Sequence, residues 1–561
     1  MHIAKKLLLA TLAVVVISSL SFLVSCAPPP PVEQIAIEEA VPTEEAVTPE
    51  EAVAVPAEGG DIVIGYDQEP AILNGFLMGG DMMATQDVTA AVLEGLIGLD
   101  NELHYYPWLI TEIPSVENEL LTEEPFTITY KLREGITWSD GEPLTSQDIK
   151  FTWETIMNPD WLIISRIGYE KIESIETPDP LTAIVKFKEP YAPWKDLFRG
   201  ILPKHWLEGK DFNTAMNQEI LGSGPFIFEE WATGDHITLV KNENYWGGPN
   251  GVKPKLDSIT FRFHPETMAL ITMLRTGEVD LIIPPPDVAL LEQLQAIEGV
   301  EVQVQGGLIW EHLAFNQKDA GSPLRDINVR KAICYAIDRK TIVEQVLKGQ
   351  VGILQSIYAP TQAVYTPAWE QYTYDLEKAK QHLAEAGYTA EVLAEKPLKL
   401  KLGTTFGNVA REQIQQVIQS QLRQVGINVA IDNYDPPTWF AEKVGQGDYE
   451  MGIWAWLVSP DPDLEVLFAK DRIPPEGRNY YWYENDKVTE LLKQANTEVD
   501  DAKRLPLYQE VQKLLADDAA LLPLYQRLNI VAFNARLRGV KANPSLVGTF
   551  WNTEEWSLEP E

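Results

Sequence analysis

Phe126-Thr-Ile-Thr-Tyr-Lys-Leu-Arg-Glu-Gly-Ile-Thr-Trp-Ser-Asp-Gly-Glu-Pro-Leu-Thr-Ser-Gln-Asp148 puts a strand, a turn and a helix start into one stretch. Its first seven residues alternate apolar and polar side chains, the period of a half-buried strand. Gly135 and the Asp140-Gly141 pair then supply turn chemistry. Thr145-Ser-Gln-Asp148 has the spacing of a capping box, in which the first side chain and the fourth bond each other's backbone N–H. Ile149, Trp153 and Ile156 follow at helical spacing.

The same mixture continues in both directions. Val329, Ala332, Ile333, Ala336, Ile337, Val343, Val346 and Leu347 keep helical spacing until Gly349. Ile414, Val417, Ile418, Leu422 and Val425 mark another helix, stopped by Gly426, which feeds the alternating strand Ile427-Asn-Val-Ala-Ile431. Leu505, Tyr508, Val511, Leu514 and Leu515 mark a further helix, with Pro506 near its first turn. Interleaved helices and strands indicate an α/β protein, and 561 residues at 45% hydrophobic content suffice for more than one lobe. No repeat of a solenoid's period is visible.

The N-terminus reads as an address. Lys5-Lys6 precede an apolar run from Leu7 to Val24, the layout of a secretory signal. Leu23-Val-Ser-Cys26 matches the lipobox of bacterial lipoproteins, which implies cleavage before Cys26 and a lipid on its thiol; an uncleaved helix is the alternative. Residues 27–59 are dominated by Pro, Val, Ala and Glu with no Lys or Arg, a composition that stays extended and solvated and serves as a tether. No second apolar span follows residue 60.

A formal charge of −38 excludes nucleic acid as a partner, because phosphates demand a basic surface. With Cys26 assigned to lipid, Cys334 stands alone in a helical run and reads as a small buried thiol. Gly222-Ser-Gly-Pro-Phe226 lacks the third glycine and the Lys-Ser/Thr of a phosphate loop, and Pro225 removes a donor. Asp461-Pro-Asp463-Leu-Glu465 begins like a calcium loop but has Val466 where the glycine belongs. The seven histidines show no zinc spacing and no Gly-x-Ser-x-Gly elbow occurs, so neither a metal, a cofactor nor catalysis is expected. Aromatic content stands out instead. Sixteen tryptophans, among them Trp138, Trp246, Trp310, Trp439, Trp454, Trp456 and Trp482, suit either core packing or a ligand cleft. Alternation places Trp454 and Trp456 on one face of a strand that runs into the loop Ser459-Pro-Asp-Pro-Asp463.

These segments together resemble the solute-binding proteins of ABC importers, family 5, the oligopeptide/dipeptide type. Residues Tyr130 to Asp148 resemble the family's most recognisable stretch. Gly222–Phe226 with Glu230-Trp231 and Asn244-Tyr-Trp-Gly247 follows, then Lys255-Leu-Asp257, Arg275-Thr-Gly-Glu-Val-Asp280, Phe315-Asn316, Asn328-Val-Arg-Lys-Ala332, Ala336-Ile-Asp-Arg339, Ala384-Glu-Ala-Gly387, Leu422-Arg-Gln-Val-Gly-Ile427 and Leu522-Pro-Leu524 in order. The likeness spans about 60–557.

It implies a two-lobed, periplasmic-binding-protein-like (class II) fold with an inserted domain. Lobe I would combine residues 60–101, 221–301 and 526–557; the insertion would be 102–220 and lobe II 302–525. It implies a monomer that captures an oligopeptide between hinged lobes outside the cytoplasm, lipid-anchored to the membrane. The captured solute then passes to a permease served by ATPase subunits. Oligosaccharide is the alternative ligand within the family; a surface carbohydrate-active enzyme is the alternative outside it. Peptide-binding members hold the ligand's amino terminus with an acidic residue shortly after a Trp matching Trp456. Here that position falls on Val458 or Ser459, with Asp461 and Asp463 nearby. The expected ligand contacts are Trp454, Trp456, Ser459, Asp461, Asn316 and Tyr66.

Overall fold

The computed structural model describes residues 59–560 other than 81, 458, 462–463 and 546, with the side chain of Val288 also left aside. Cys26, residues 27–58 of the tether, Val458 and Asp463 therefore lie outside the described residues. The backbone is organised by one mixed sheet of ten strands. From one edge it runs Ile427–Ile431, Leu398–Gly403, Met451–Leu457, Val300–Phe315, Leu521–Asn534, Leu281–Ile282, Asp61–Tyr66, Ser258–Phe263, His236–Lys241 and Phe226–Ala232. The first strand, Asp61–Tyr66, and the last long one, Leu521–Asn534, both lie in the middle of the sheet, separated by Leu281–Ile282.

Two strands join the halves. Val300–Phe315 pairs antiparallel with Leu521–Asn534, from Val300 opposite Asn534 to Ala314 opposite Leu521. The ladder is interrupted between Gly306 and Trp310, and there Leu308 N–H turns away to the carbonyl of Pro544 at 3.0 Å. Beyond the interruption, Leu313, Ala314, Leu521, Leu522 and Leu524 enter the core of the second lobe with Ile333, Ile418, Trp454 and Leu515. Before it, alternation distributes side chains to both faces. Ile530 and Ala532 pack with Leu270, Ile282 and Leu294, while Val531 and Phe533 pack with Ile62, Phe261 and Trp556. A charge cluster fastens the junction: buried Glu311 accepts from Arg411 at 3.0 Å and from Arg527 at 2.7 Å. Buried charges persist only when paired and hydrogen-bonded.

A separate four-stranded sheet, ordered Leu121–Glu123, Phe126–Lys131, Thr182–Phe187 and Ile172–Asp179, carries the stretch quoted at the outset. Phe126, Ile128 and Tyr130 point inward and the intervening threonines are half-exposed, as alternation predicts. The capping box forms: Asp148 Oδ2 accepts from Thr145 N–H at 2.8 Å and helix Ser146–Met157 follows. Its core contains Ile128, Trp138, Ile149, Val185 and Phe198.

The helical reading of residues 329–347 needs one correction. The helix Ile327–Ala336 ends at Ile337, which takes φ −96° and ψ 113°, and Asp338 caps a new turn. Buried Arg339 is the cause. Its guanidinium donates to the carbonyls of Leu354 (2.8 Å), Pro523 (3.0 Å) and Trp369 (3.0 Å), which a continuous helix would not let it reach. Pro506 lies inside Asp501–Asp517 rather than at its first turn. Cys334 is fully buried, which pushes its thiol up to about 12.

Candidate functional site

A cavity of about 560 Å³ opens beside helix Met83–Ala90. Its walls come from that helix and the loop after it, from Tyr105–Trp108, from Ile163 to Ser165, from Lys195 to Gly200, and from residues 547–554 near the C-terminus. Phe76, Met83, Ile163 and Ile164 make an apolar side; Met83 and Ile164 are exposed at its mouth. Glu94, Thr553 and Glu554 are buried lining residues. The size and the mixture of apolar wall and few polar groups are those of a small-ligand site.

Glu94 is a hub. Its Oε1 accepts from the Trp108 indole at 2.8 Å and the Tyr245 hydroxyl at 3.0 Å; its Oε2 accepts from the Trp246 indole at 3.0 Å and the Ser223 hydroxyl at 2.7 Å. Ser223 is delivered by the glycine-rich loop set aside above as a phosphate binder. A Cβ on Gly222 would lie 1.9 Å from the carbonyl oxygen of Val92, so glycine lets this loop press directly onto the chain just before Glu94. Burial pushes the Glu94 carboxyl up to about 7, against the donors that pull it down.

Asp196 marks the wall that faces the second lobe. It accepts from Tyr105 at 2.7 Å, from Arg199, and from Ser459 in the loop after strand Met451–Leu457. Gln362 donates to the Ser459 carbonyl at 3.2 Å, and Lys195 reaches Asp501 at 3.4 Å. Ser459 is thus the expected ligand residue that touches a cavity-lining side chain.

The other expected residues have structural neighbours. Trp454 is 1% exposed and sealed among His312 (4.8 Å between ring centres), Tyr449 (5.6 Å) and Tyr481 (5.8 Å), so it presents no open ring face. Trp456 shares that face of the strand and is half-buried; it stacks on Tyr480 at 5.7 Å and donates to the Tyr481 hydroxyl at 2.9 Å. Asp461 is buried in an ion pair with Arg504 at 2.6 Å. Asn316 donates to the carbonyls of Gly447 and Tyr449 at 3.0 and 2.6 Å. Tyr66 donates to Asp87 at 2.5 Å within the first lobe. Among the described residues, no group of three or more His, Cys, Asp or Glu could hold a metal ion, and no helix is long and apolar enough to cross a membrane. Glu94, Thr553 and Glu554 escaped the sequence reading, since neither a single acid among 83 nor a lone threonine carries a local signal.

Two lobes bridged by crossing strands beside a ligand-sized cavity are the architecture in which a bound solute can be held. The chain belongs to the bacterial extracellular solute-binding proteins, family 5, whose middle-region profile matches residues 104–473. The oligopeptide-binding protein AppA of Bacillus subtilis is 27% identical over 532 residues, covering 90% of this chain and 92% of its own. A putative ABC transporter peptide-binding protein of Brucella ovis is 30% identical over 407 residues, 70% of this chain and 74% of that one. Among solved structures, B. subtilis AppA in complex with a nonapeptide superposes with a TM-score of 0.71 at 26% identity, covering 90% of this chain and 100% of that one. The periplasmic EDTA-binding protein EppA shares the fold with a TM-score of 0.80 at 24% identity, covering 92% and 100%. The chain is an extracytoplasmic substrate-binding protein and not an enzyme.

Two outcomes follow from the burial pattern. Trp454→Ala should cost about 3–5 kcal/mol of stability, the range for deleting a large core ring, and Trp456→Ala clearly less, as read by urea unfolding. Burial also raises Asp87 to about 7 and Glu554 to about 8. Unfolded, such carboxyls ionise near pH 4, so between there and about pH 8 the folded chain binds more protons. Their stabilising contribution is complete at low pH and is lost as pH rises through 7 to 8. Glu554→Gln should match the wild-type unfolding temperature at pH 5 and exceed it at pH 8.5.

Proposed function

We propose that this chain is the substrate-binding subunit of an ABC importer, capturing an oligopeptide and handing it to a membrane permease energised by ATPase subunits. The cavity carries this reading: about 560 Å³, an apolar mouth and buried polar lining groups, on a chain whose relatives are named for peptide binding. A site built to close over cargo needs groups from both lobes near its wall, and the Ser459–Asp196 contact supplies them. We divide the protein at 60–101 with 221–301 and 526–557 for lobe I, 102–220 for the inserted domain and 302–525 for lobe II. Ser459 and Trp456 stand at the cleft margin in this reading. Trp454, Asp461, Asn316 and Tyr66 hold the loops that shape it, and the protein works as a monomer.

Native mass spectrometry of the protein purified from its own source, followed by calorimetric titration with tri- to nonapeptides, tests the assignment. Saturable binding with the peptide recovered intact is expected. A retained oligosaccharide would replace the peptide, and cleaved peptide would end the reading.

The anchor is a second element of the proposal. Cys26, in Leu23-Val-Ser-Cys26, carries lipid, and residues 27–59 tether the folded part to the membrane face. Cys26→Ala should move the protein from the membrane fraction to the soluble one; retention in the membrane would favour an uncleaved helix.

A further inference from the structure

Among the described residues three carboxylates line the cavity, and two of them are fully provided for. Glu94 has four donors, and Asp196 has Tyr105, Arg199 and Ser459. Glu554 is different. It lies on the turn Thr549–Glu555, is only 7% exposed, and among the described residues makes no ion pair and no side-chain hydrogen bond with another residue. The charges that act on it are those of Glu555, Glu94 and Lys541. Two are repulsive, and the Lys541 ammonium is already held by Glu555 at 2.7 Å. The adjacent Thr553 also lines the cavity and is 1% exposed, and its hydroxyl lacks a hydrogen-bond partner among the described residues.

The Glu554 carboxyl has only its own backbone N–H and the already engaged Lys541 to set against its burial, and the Thr553 hydroxyl has no partner among the described residues, so both carry a desolvation cost that is at most partly offset. Both face the same space. A ligand group that donates several hydrogen bonds and brings positive charge would satisfy them together. The same cavity is also lined by Phe76, Met83, Ile163 and Ile164, which recognise hydrocarbon rather than charge.

We propose that the ligand enters with a protonated amino or guanidino group paired to Glu554 and hydrogen-bonded to the Thr553 hydroxyl, its apolar body lying against Phe76, Met83, Ile163 and Ile164. This rests on the cavity being the binding site proposed above. It assigns cation recognition to the C-terminal turn of the first lobe, not to the loop after Trp456.

The experiment titrates trileucine, N-acetyl-trileucine and hexylamine by calorimetry into the full chain and into Glu554→Gln. In wild type, acetylation should weaken trileucine at least tenfold, and Glu554→Gln should shrink that ratio below threefold. A wild-type ratio near one, or a tenfold ratio that survives Glu554→Gln, would overturn the assignment while leaving peptide capture standing. If neither peptide binds, peptide capture fails and hexylamine decides. Binding to wild type that is lost in Glu554→Gln supports the cation site, and no binding to wild type overturns it. Should Glu554→Gln lose its cooperative thermal transition, Thr553→Val takes its place. A free-to-acetylated (or hexylamine) preference at least threefold smaller supports the proposal, and an unchanged one overturns it.

Discussion

Backbone pairing between Val300–Phe315 and Leu521–Asn534 is the constraint on which the architecture depends. Each strand contributes one end to either lobe, so the two halves are segments of one continuous sheet. The interruption between Gly306 and Trp310 is where both strands pass from one core to the next. Past it, a doubly paired Glu311 fixes strand Val300–Phe315 to Arg411 of the second lobe and to Arg527 of its partner strand. Any relative motion of the lobes has to be absorbed at this crossing, because the ladders on either side are tied into packed interiors.

The polar interior of the first lobe obeys a related economy. The loop Gly222–Phe226, the Tyr245-Trp246 pair and Trp108 come from distant parts of the chain and converge on one carboxylate. Much of the tryptophan content is explained by this kind of use. Indole N–H groups serve Glu94 twice, Glu69 from Trp231, the Leu521 carbonyl from Trp369 and the Tyr481 hydroxyl from Trp456. A ring that is apolar on its faces and a donor at one edge fits a buried hydrogen-bond network as readily as a ligand.

Local features were legible in the sequence because their causes are local. The alternation of 126–131 and the capping box at Thr145 need only neighbouring residues, and both form as read. The pattern of Trp454 and Trp456 on one face was legible too. The enclosure of Trp454 was not, since it depends on His312, Tyr449 and Tyr481, brought together by strand pairing and loop packing. Asp461 looked like half of a cation loop because its true partner, Arg504, arrives from a helix later in the chain. The helix break at Ile337 follows from the carbonyls Arg339 must reach, which no periodicity encodes. The order of the family's motifs gave the fold at once; the position of the unpaired Glu554 emerged only when the C-terminal turn was folded back onto the cavity.

That return of the chain sets the sequence in which the molecule is assembled. Strand Asp61–Tyr66 is among the first described segments to leave a ribosome or a translocation channel. Yet its sheet is incomplete until Ala532 and Phe533 pair with Leu281–Ile282, and its core until Phe550 and Trp556 arrive. The second lobe, written between the crossing strands and their inner ends, needs no chain beyond about residue 525 and can collapse earlier. The lobe that begins first is finished last, and until then its unpaired edge must be kept from other chains during export.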